Sequence, residues 1–462
     1  MRRQLIISGV LTLGVILATN LAPLLDAQAR QPAVRGVLPN GPVFAADRPK
    51  PPAGSVLDIE SLVVVPSDDF RMERRNNFYK KDGSDGLYRW AASGHWSNYD
   101  EAKTGDWQKS VPDPLRMNDG RTVRDAEMWR TQRRPEIVRL VGTHVYGKVP
   151  ANVPRVVWTA GEITTGNVNG IETKSRTATG RYLNADGTPF VEPAGATPVA
   201  AGPGGRGSQP LSLTVTYVIP ASAQGKVALI QGANQQRVLA AGFGTVTFAG
   251  RAPNVTSTPS ARDDWGAIRK YAWVVSRGLD YLETDPLVDA RKVALSGHSI
   301  GGKQALLAAA LDERIALVFA SCSGEGGASM MRRDWGETID DLAQLSPQNY
   351  AENFQNWVGH WREMPIDAHF LVALMAPRPV FITGGTQDQW SDPVGVFWAG
   401  YYASPVYALL GKKGFSVKQP PAPGTWLEGD ITFLNHVGGH ITTPEETEKY
   451  LELARRAFSA RP

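Results

Sequence analysis

Lys292-Val293-Ala294-Leu295-Ser296-Gly297-His298-Ser299-Ile300-Gly301-Gly302-Lys303 decides how this 462-residue chain folds. Lys292 to Leu295 reads as a short buried strand, and Lys303 to Leu311 as a helix. Between them Gly297-His298-Ser299-Ile300-Gly301 spells G-x-S-x-G. A serine on a tight strand-to-helix turn takes strained backbone angles, and the glycines two places either side leave room for the neighbouring chain. The turn lifts Oγ above the sheet edge and aims the helix N-terminus, with the amide of Ile300, at a developing oxyanion. The motif alone is weak. A strand before it and a helix after it predict a nucleophile at Ser299 rather than a structural turn.

Outward from this turn the chain alternates strands and helices. Upstream, Leu211 to Ile219, Lys226 to Ile230 and Phe243 to Phe248 read as strands. Asp264 to Thr284 reads as a helix, with Trp265, Ile268, Ala272, Val275, Leu279 and Leu282 at helical spacing. Downstream come strands at Ile315 to Ala320 and Val380 to Thr383, and a closing helix from Glu445 to Ala457. This rhythm predicts an α/β fold, a mostly parallel sheet covered on both faces. A further helix spans Asp125 to Leu140, restarted at Pro135.

The ends and gaps read differently. Arg2 and Arg3 precede an apolar run, Leu5 to Leu25, followed by the small-residue site Ala27-Gln28-Ala29. Residues 1–29 are therefore expected to be a signal peptide; Asn20 and Pro23 interrupt the run and argue against an uncleaved anchor. The Pro- and Gly-rich stretch 30–55 and the polar, aromatic stretch 65–110 place a linker and N-terminal extension over 30–110, and the catalytic domain over 111–462. The Gly/Pro/Ala-rich stretch 183–209 suits a long loop between strands. A formal net charge of +4 is too small to argue for nucleic acid. Cys322 is the one cysteine, which excludes an internal disulfide. The expectation is a secreted or periplasmic monomer that makes no membrane contact once the signal is removed.

A serine hydroxyl needs a base. Of the seven histidines, His436 and His440 lie late, where the base of a Ser…Asp…His order falls. His440 follows Gly438-Gly439, which let the backbone turn back over the sheet, so it is the expected base; His436 suits a local hydrogen-bonding role and His298 a buried packing one. Asp388, in the loop after Val380 to Thr383, is the expected acid. Asp392 precedes a proline and suits a cap; Glu325 is the main rival for the acid.

Ten segments carry a family resemblance: VPDPL (111–115), RRPE (133–136), HVYG (144–147), DDWGAI (263–268), DYLETDP (280–286), GHSIGGK (297–303), SGEGG (323–327), WGET (335–338), ALMAPRPV (373–380) and DQWSDP (388–393). In their order and content the chain resembles the bacterial glucuronoyl esterases of carbohydrate esterase family 15. The resemblance implies an α/β-hydrolase three-layer sandwich that cleaves esters joining glucuronic acid on xylan to lignin alcohols, with no cofactor and no metal. It implies that Ser299 is the nucleophile, His440 the base, Lys303 a ligand of the sugar hydroxyls, and Glu337 and Trp390 contacts of the glucuronate. Two departures stand out. Ile300 occupies the place of the family's usual arginine after the nucleophile, and Cys322 occupies the place of a glutamate that many members use as their acid. The second departure strengthens Asp388. The first leaves backbone amides at the oxyanion, from Ile300 and from Gln231-Gly232-Ala233-Asn234. Acetyl or other carbohydrate esters, or a carbohydrate-binding role with weak catalysis, are the alternatives.

Overall fold

The computed structural model describes residues 98–192, 211–258 and 260–460, together with three short antiparallel strands, β1 (Leu62–Val64), β2 (Asn77–Lys80) and β3 (Tyr88–Arg89). The expected signal peptide, the stretch 30–55 and residues 193–210 of the expected long loop lie outside the described residues.

Ten further strands form the central sheet: β4 (Arg155–Ala160), β5 (Thr164–Val168), β6 (Ile171–Leu183), β7 (Leu213–Pro220), β8 (Val227–Ile230), β9 (Gly244–Gly250), β10 (Val288–His298), β11 (Ile315–Ser321), β12 (Val380–Gly385) and β13 (Ile431–His436). Their order is β13-β12-β11-β10-β8-β9-β7-β6-β4, with β5 paired to β6. From β9 to β13 every pairing is parallel, and β7, β6, β5 and β4 continue the sheet antiparallel. All seven residues of β11 and all six of β12 are buried, as expected of strands covered on both faces.

The covering helices are α1 (Arg134–Val141), α2 (Gln235–Ala240), α3 (Ala267–Leu282), α4 (Ile300–Leu311), α5 (Ile339–Leu345), α6 (His369–Met375), α7 (Pro393–Leu409) and α8 (Pro444–Ser459). Side chains alternate across the sheet and sort into two cores. Val293, Leu295, Val318, Val380 and Ile382 pack with α3, α4, α6 and α7; Ala294, Leu317, Phe319 and Phe381 pack with α2 and α8. That is a three-layer sandwich. On the α8 face the Phe319 and Phe381 rings stack with centroids 4.2 Å apart.

The sequence did not announce the hairpin arm β4–β6 or helix α7, and it placed the start of α4 late. The hairpin arm β4–β6 is half-exposed and rich in threonine and arginine, so it lacks an apolar run. Its signal was Asn169-Gly170, both at positive φ, the two-residue turn that closes β5 onto β6. α7 is apolar on nearly every side and contains Pro405, so no amphipathic period marks it. α4 starts three residues earlier than expected, directly at the elbow. Helix α1 has Pro135 in its first turn, as expected, and π-helical stretches on either side, Trp129–Arg133 and Gly142–Tyr146.

The segment before residue 111 is tied to the site. Trp107 is buried in edge-on contact with Trp398 and Tyr402. Glu101 grips the guanidinium of Arg333 through two contacts of 2.7 Å. Arg333 also bonds Asp392 and lies 4.7 Å over the Trp335 ring. That clamp fixes the loop on which Glu337 sits.

Candidate active site

Ser299 stands at the C-terminal end of β10, between β8 and β11, at φ 58° and ψ −127°. A β-carbon at Gly297 would lie 2.1 Å from the Gly301 carbonyl oxygen, so glycine is required there. Gly301 faces open space; its neighbour Gly302 is the one crowded, with a β-carbon falling 2.9 Å from Ser323 Cβ. The Ser299 amide donates to the Ser321 carbonyl at 2.9 Å, anchoring the elbow to β11. The strain at Ser299 is thus held by backbone bonds on both sides.

The amide of Ile300 opens α4, where the helix dipole favours negative charge. The loop after β8 runs beside the elbow. Gly232 has φ 82°, and a β-carbon there would strike Ser296 Oγ at 2.4 Å. Ser296 in turn donates from its amide to Gln231 Oε1 and from its hydroxyl to the Gln231 carbonyl, both at 3.2 Å.

His440 Nδ1 lies 2.7 Å from Asp388 Oδ2. The aspartate is buried, whereas the histidine side chain is 42% exposed. With Nδ1 held by the carboxylate, Nε2 is the nitrogen available to take a proton. Among the described residues no hydrogen bond yet joins Ser299 Oγ to His440. Two loops deliver the pair, and they are stitched together. The Thr386 amide donates to the His436 carbonyl, the Gln387 amide to the Gly438 carbonyl, and the Gly438 amide to Thr386 Oγ1. The close approach needs glycine at 385, where a β-carbon would meet the Gly439 carbonyl oxygen at 2.3 Å.

His436 has the local role the sequence suggested. Nδ1 faces Glu446 Oε1 at 2.9 Å and Nε2 faces the Gly439 carbonyl at 3.0 Å. Two acceptors call for two N–H donors. Burial opposes the charge, but Glu446 and the carbonyl outweigh it, and the pKa of His436 is raised. Glu446 also accepts from the Thr443 amide, so one carboxylate caps α8 and pins the loop that carries His440. Sequence reasoning missed Glu446. Its signal was the Thr443-x-x-Glu446 capping box.

His298 corrects an expectation. It is half-buried rather than packed away, its ring centroid lies 4.4 Å from that of His440, and Thr442 Oγ1 lies 3.3 Å from its Nδ1. Burial and the neighbouring His440 lower its pKa, favouring the neutral ring. Asp392 caps α7 through the Gly395 amide and pairs with Arg333, a structural place.

Lys303, one turn into α4, is buried. Its ammonium donates to the Glu325 carbonyl and, at 3.0 Å, to Glu337 Oε2. The Glu337 amide donates to the Trp390 carbonyl at 2.8 Å, and Trp335 Nε1 donates to Gln389 Oε1 at 3.1 Å. So Lys303 on α4 meets Glu337, whose backbone is bonded to that of Trp390 on the loop that also holds Asp388.

Glu325, the rival acid, is fully buried and neither carboxyl oxygen has a partner. Its charged neighbours are Glu337, Asp367, Asp341 and Lys303, not His440; burial and the three carboxylates push its pKa well above the usual range. A carboxyl that keeps its proton when folded but loses it near pH 4.3 when unfolded makes stability fall as pH rises beyond that value. Glu325→Gln removes the titration. Its melting temperature should exceed that of the parent by a few degrees, with the gap widening between about pH 5 and 8. A gap that is flat with pH would mean Glu325 is ionised in the fold.

Cys322, at φ 45°, donates its amide to the Thr383 carbonyl, and its Sγ lies 3.4 Å from the Ile441 carbonyl oxygen. Burial, with Asp388 and Glu446 nearby, pushes the thiol pKa up.

A strained serine between a parallel strand and its helix, with a histidine on the loop after the last strand, places the chain in the α/β-hydrolase class. A family model described as "Glucuronyl esterase, fungi" matches residues 260–411. The "Carbohydrate esterase MZ0003" of an unknown prokaryotic organism is 32% identical over 77% of this chain and 91% of its own length. A CE15 glucuronoyl esterase from Teredinibacter turnerae T7901 superimposes with a TM-score of 0.67 at 30% identity, covering 78% of this chain and 92% of that one. A promiscuous CE15 esterase from the marine bacterial metagenome superimposes with a TM-score of 0.65 at 27% identity, over 78% of this chain and 100% of that one. The chain belongs to carbohydrate esterase family 15, and is a carboxylic ester hydrolase of the glucuronoyl esterase type.

Proposed function

We propose that the protein hydrolyses esters of glucuronic acid through Ser299, His440 and Asp388. The observation that carries this reading is the 2.7 Å contact between His440 Nδ1 and the buried Asp388 carboxylate, on a loop shared with Trp390. His440 Nε2 takes the proton of Ser299 Oγ as it attacks the ester carbonyl. The Ile300 amide, with one from the Gln231–Asn234 loop, faces the oxyanion, because Ile300 brings no charge of its own. His440 then gives the proton to the leaving alcohol, and water releases the glucuronate by the same steps in reverse.

The acyl half meets Lys303, Glu337 and Trp390: an ammonium, a carboxylate and a flat apolar ring, a set suited to a sugar. Polar groups arranged for hydroxyls reject acyl groups that lack them. The inferred substrate is glucuronoxylan esterified to lignin alcohols, met outside the cytoplasm after loss of residues 1–29 and acted on by a monomer. Among the described residues no helix is long and apolar enough to cross a membrane. Relatives named 4-O-methyl-glucuronoyl methylesterase support the glucuronate half of that ester; that of Wolfiporia cocos is 29% identical over 65% of this chain and 72% of its own.

Lys303→Ala tests the acyl site. It should raise KM and lower kcat/KM on benzyl glucuronate by roughly 10²-fold or more, as for other sites that lose a hydroxyl partner. Nitrophenyl acetate and acetylated xylan should change little. Equal losses on all three substrates would make Lys303 a structural residue.

A further inference from the structure

We propose that Cys322, Asp388 and His440 form a three-donor site for a thiophilic divalent cation of the zinc or cadmium kind, and that its occupancy switches the esterase off. Cys322 Sγ, a carboxylate oxygen of Asp388 and a ring nitrogen of His440 all lie within 4.8 Å of one another. Sulfur, nitrogen and oxygen donors are those that zinc takes at about 2.0–2.3 Å in tetrahedral sites, with donors then roughly 3.3–3.8 Å apart. At 2.7 Å apart, His440 Nδ1 and Asp388 Oδ2 must part slightly to admit the cation, and the thiol lies within 4.8 Å of both residues' donor atoms. The half-exposed His440 ring gives the cation its approach from solvent, while Cys322 and Asp388 wait buried beneath it.

Charge points the same way. Ile300 leaves the site without a guanidinium beside the nucleophile. The nearby cations are engaged elsewhere, Lys303 with Glu337 and His436 with Glu446. Asp388 bonds His440 and lies beside the thiol. Negative charge around Cys322 favours a dication in place of the thiol proton, which leaves to solvent as the metal–sulfur bond forms. The cation occupies His440 Nδ1, the proton there moves to Nε2, and the ring loses the lone pair that would accept the Ser299 proton. A fourth position stays open for water.

Cys322 is the sole cysteine, so any sulfur–metal signal belongs to it. The full mature chain is titrated with cadmium chloride and the thiolate-to-cadmium charge-transfer band is followed in the ultraviolet. In parallel, zinc chloride inhibition of ester turnover is measured for the parent, Cys322→Ala and Cys322→Ser, each relative to its own metal-free rate and with reversal by chelator. The expected result is a saturable band in the parent and none in the variants. Zinc should inhibit the parent reversibly, with the midpoint moved upward at least 10–100-fold in both variants, since even an outer partner's loss costs about that. No band in the folded parent would overturn the site. Equal zinc inhibition of parent and variants would also overturn it, and would assign the metal to the His298–His440 pair. The inhibition arm rests on the proposed esterase reading; the cadmium arm does not, so an inactive but cadmium-binding protein would indict the function and leave the site standing.

Discussion

Ser299→Ala should abolish ester turnover, with a loss in kcat of roughly 10⁶-fold, as for removal of other serine nucleophiles that act with a histidine. No second serine sits at a strained strand-to-helix turn; Ser299 alone among the serines has positive φ in the described residues. The backbone bonds that hold the elbow, from the Ser299 amide to Ser321 and from the Lys303 amide to Ser299, do not involve the hydroxyl. The variant should therefore melt like the parent and keep its affinity for glucuronate. What remains is the background given by the oxyanion amides and binding alone. Near-parent turnover, in a preparation free of other esterases, would remove Ser299 from the chemistry.

Asp388→Asn should cost about 10⁴-fold in kcat while KM changes little. An amide at that position can place its NH₂ against Nδ1 and so favour the wrong tautomer of His440. The stitched backbone between the acid and base loops remains, so the loss reports orientation and charge rather than collapse. Glu325→Gln should stay within a few-fold of the parent, because Glu325 faces carboxylates and Lys303. If the two variants ranked the other way, the orienting acid would be Glu325.

How much of this was legible in the sequence follows from what kind of signal each element leaves. The elbow was legible because its geometry forces residue types: glycine at 297 where a β-carbon would strike Gly301, and a strand and helix on either side. The buried strands β10 to β12 were legible as apolar runs. The arm β4–β6 was not, because one wet face dilutes the pattern. Asp388 was reached by chain order, and the structure sets it against His440. Neighbours through space leave no such mark. Nothing in the sequence joins Glu101 to Arg333 across 232 positions, or places His298 against His440. The burial of Lys303 could not be read from helical spacing either; it follows from the Glu325 carbonyl and Glu337 closing over it.

The account stands most directly on one comparison: kcat/KM of the purified protein on benzyl glucuronate against p-nitrophenyl acetate, with Ser299→Ala as the blank. Nitrophenol is much the better leaving group, so intrinsic reactivity favours the acetate. The account predicts that the glucuronate ester is nonetheless cleaved with the higher kcat/KM, through binding of the sugar at Lys303, Glu337 and Trp390. Faster cleavage of the acetate, or a benzyl glucuronate rate no higher than that of the Ser299→Ala blank, would contradict it.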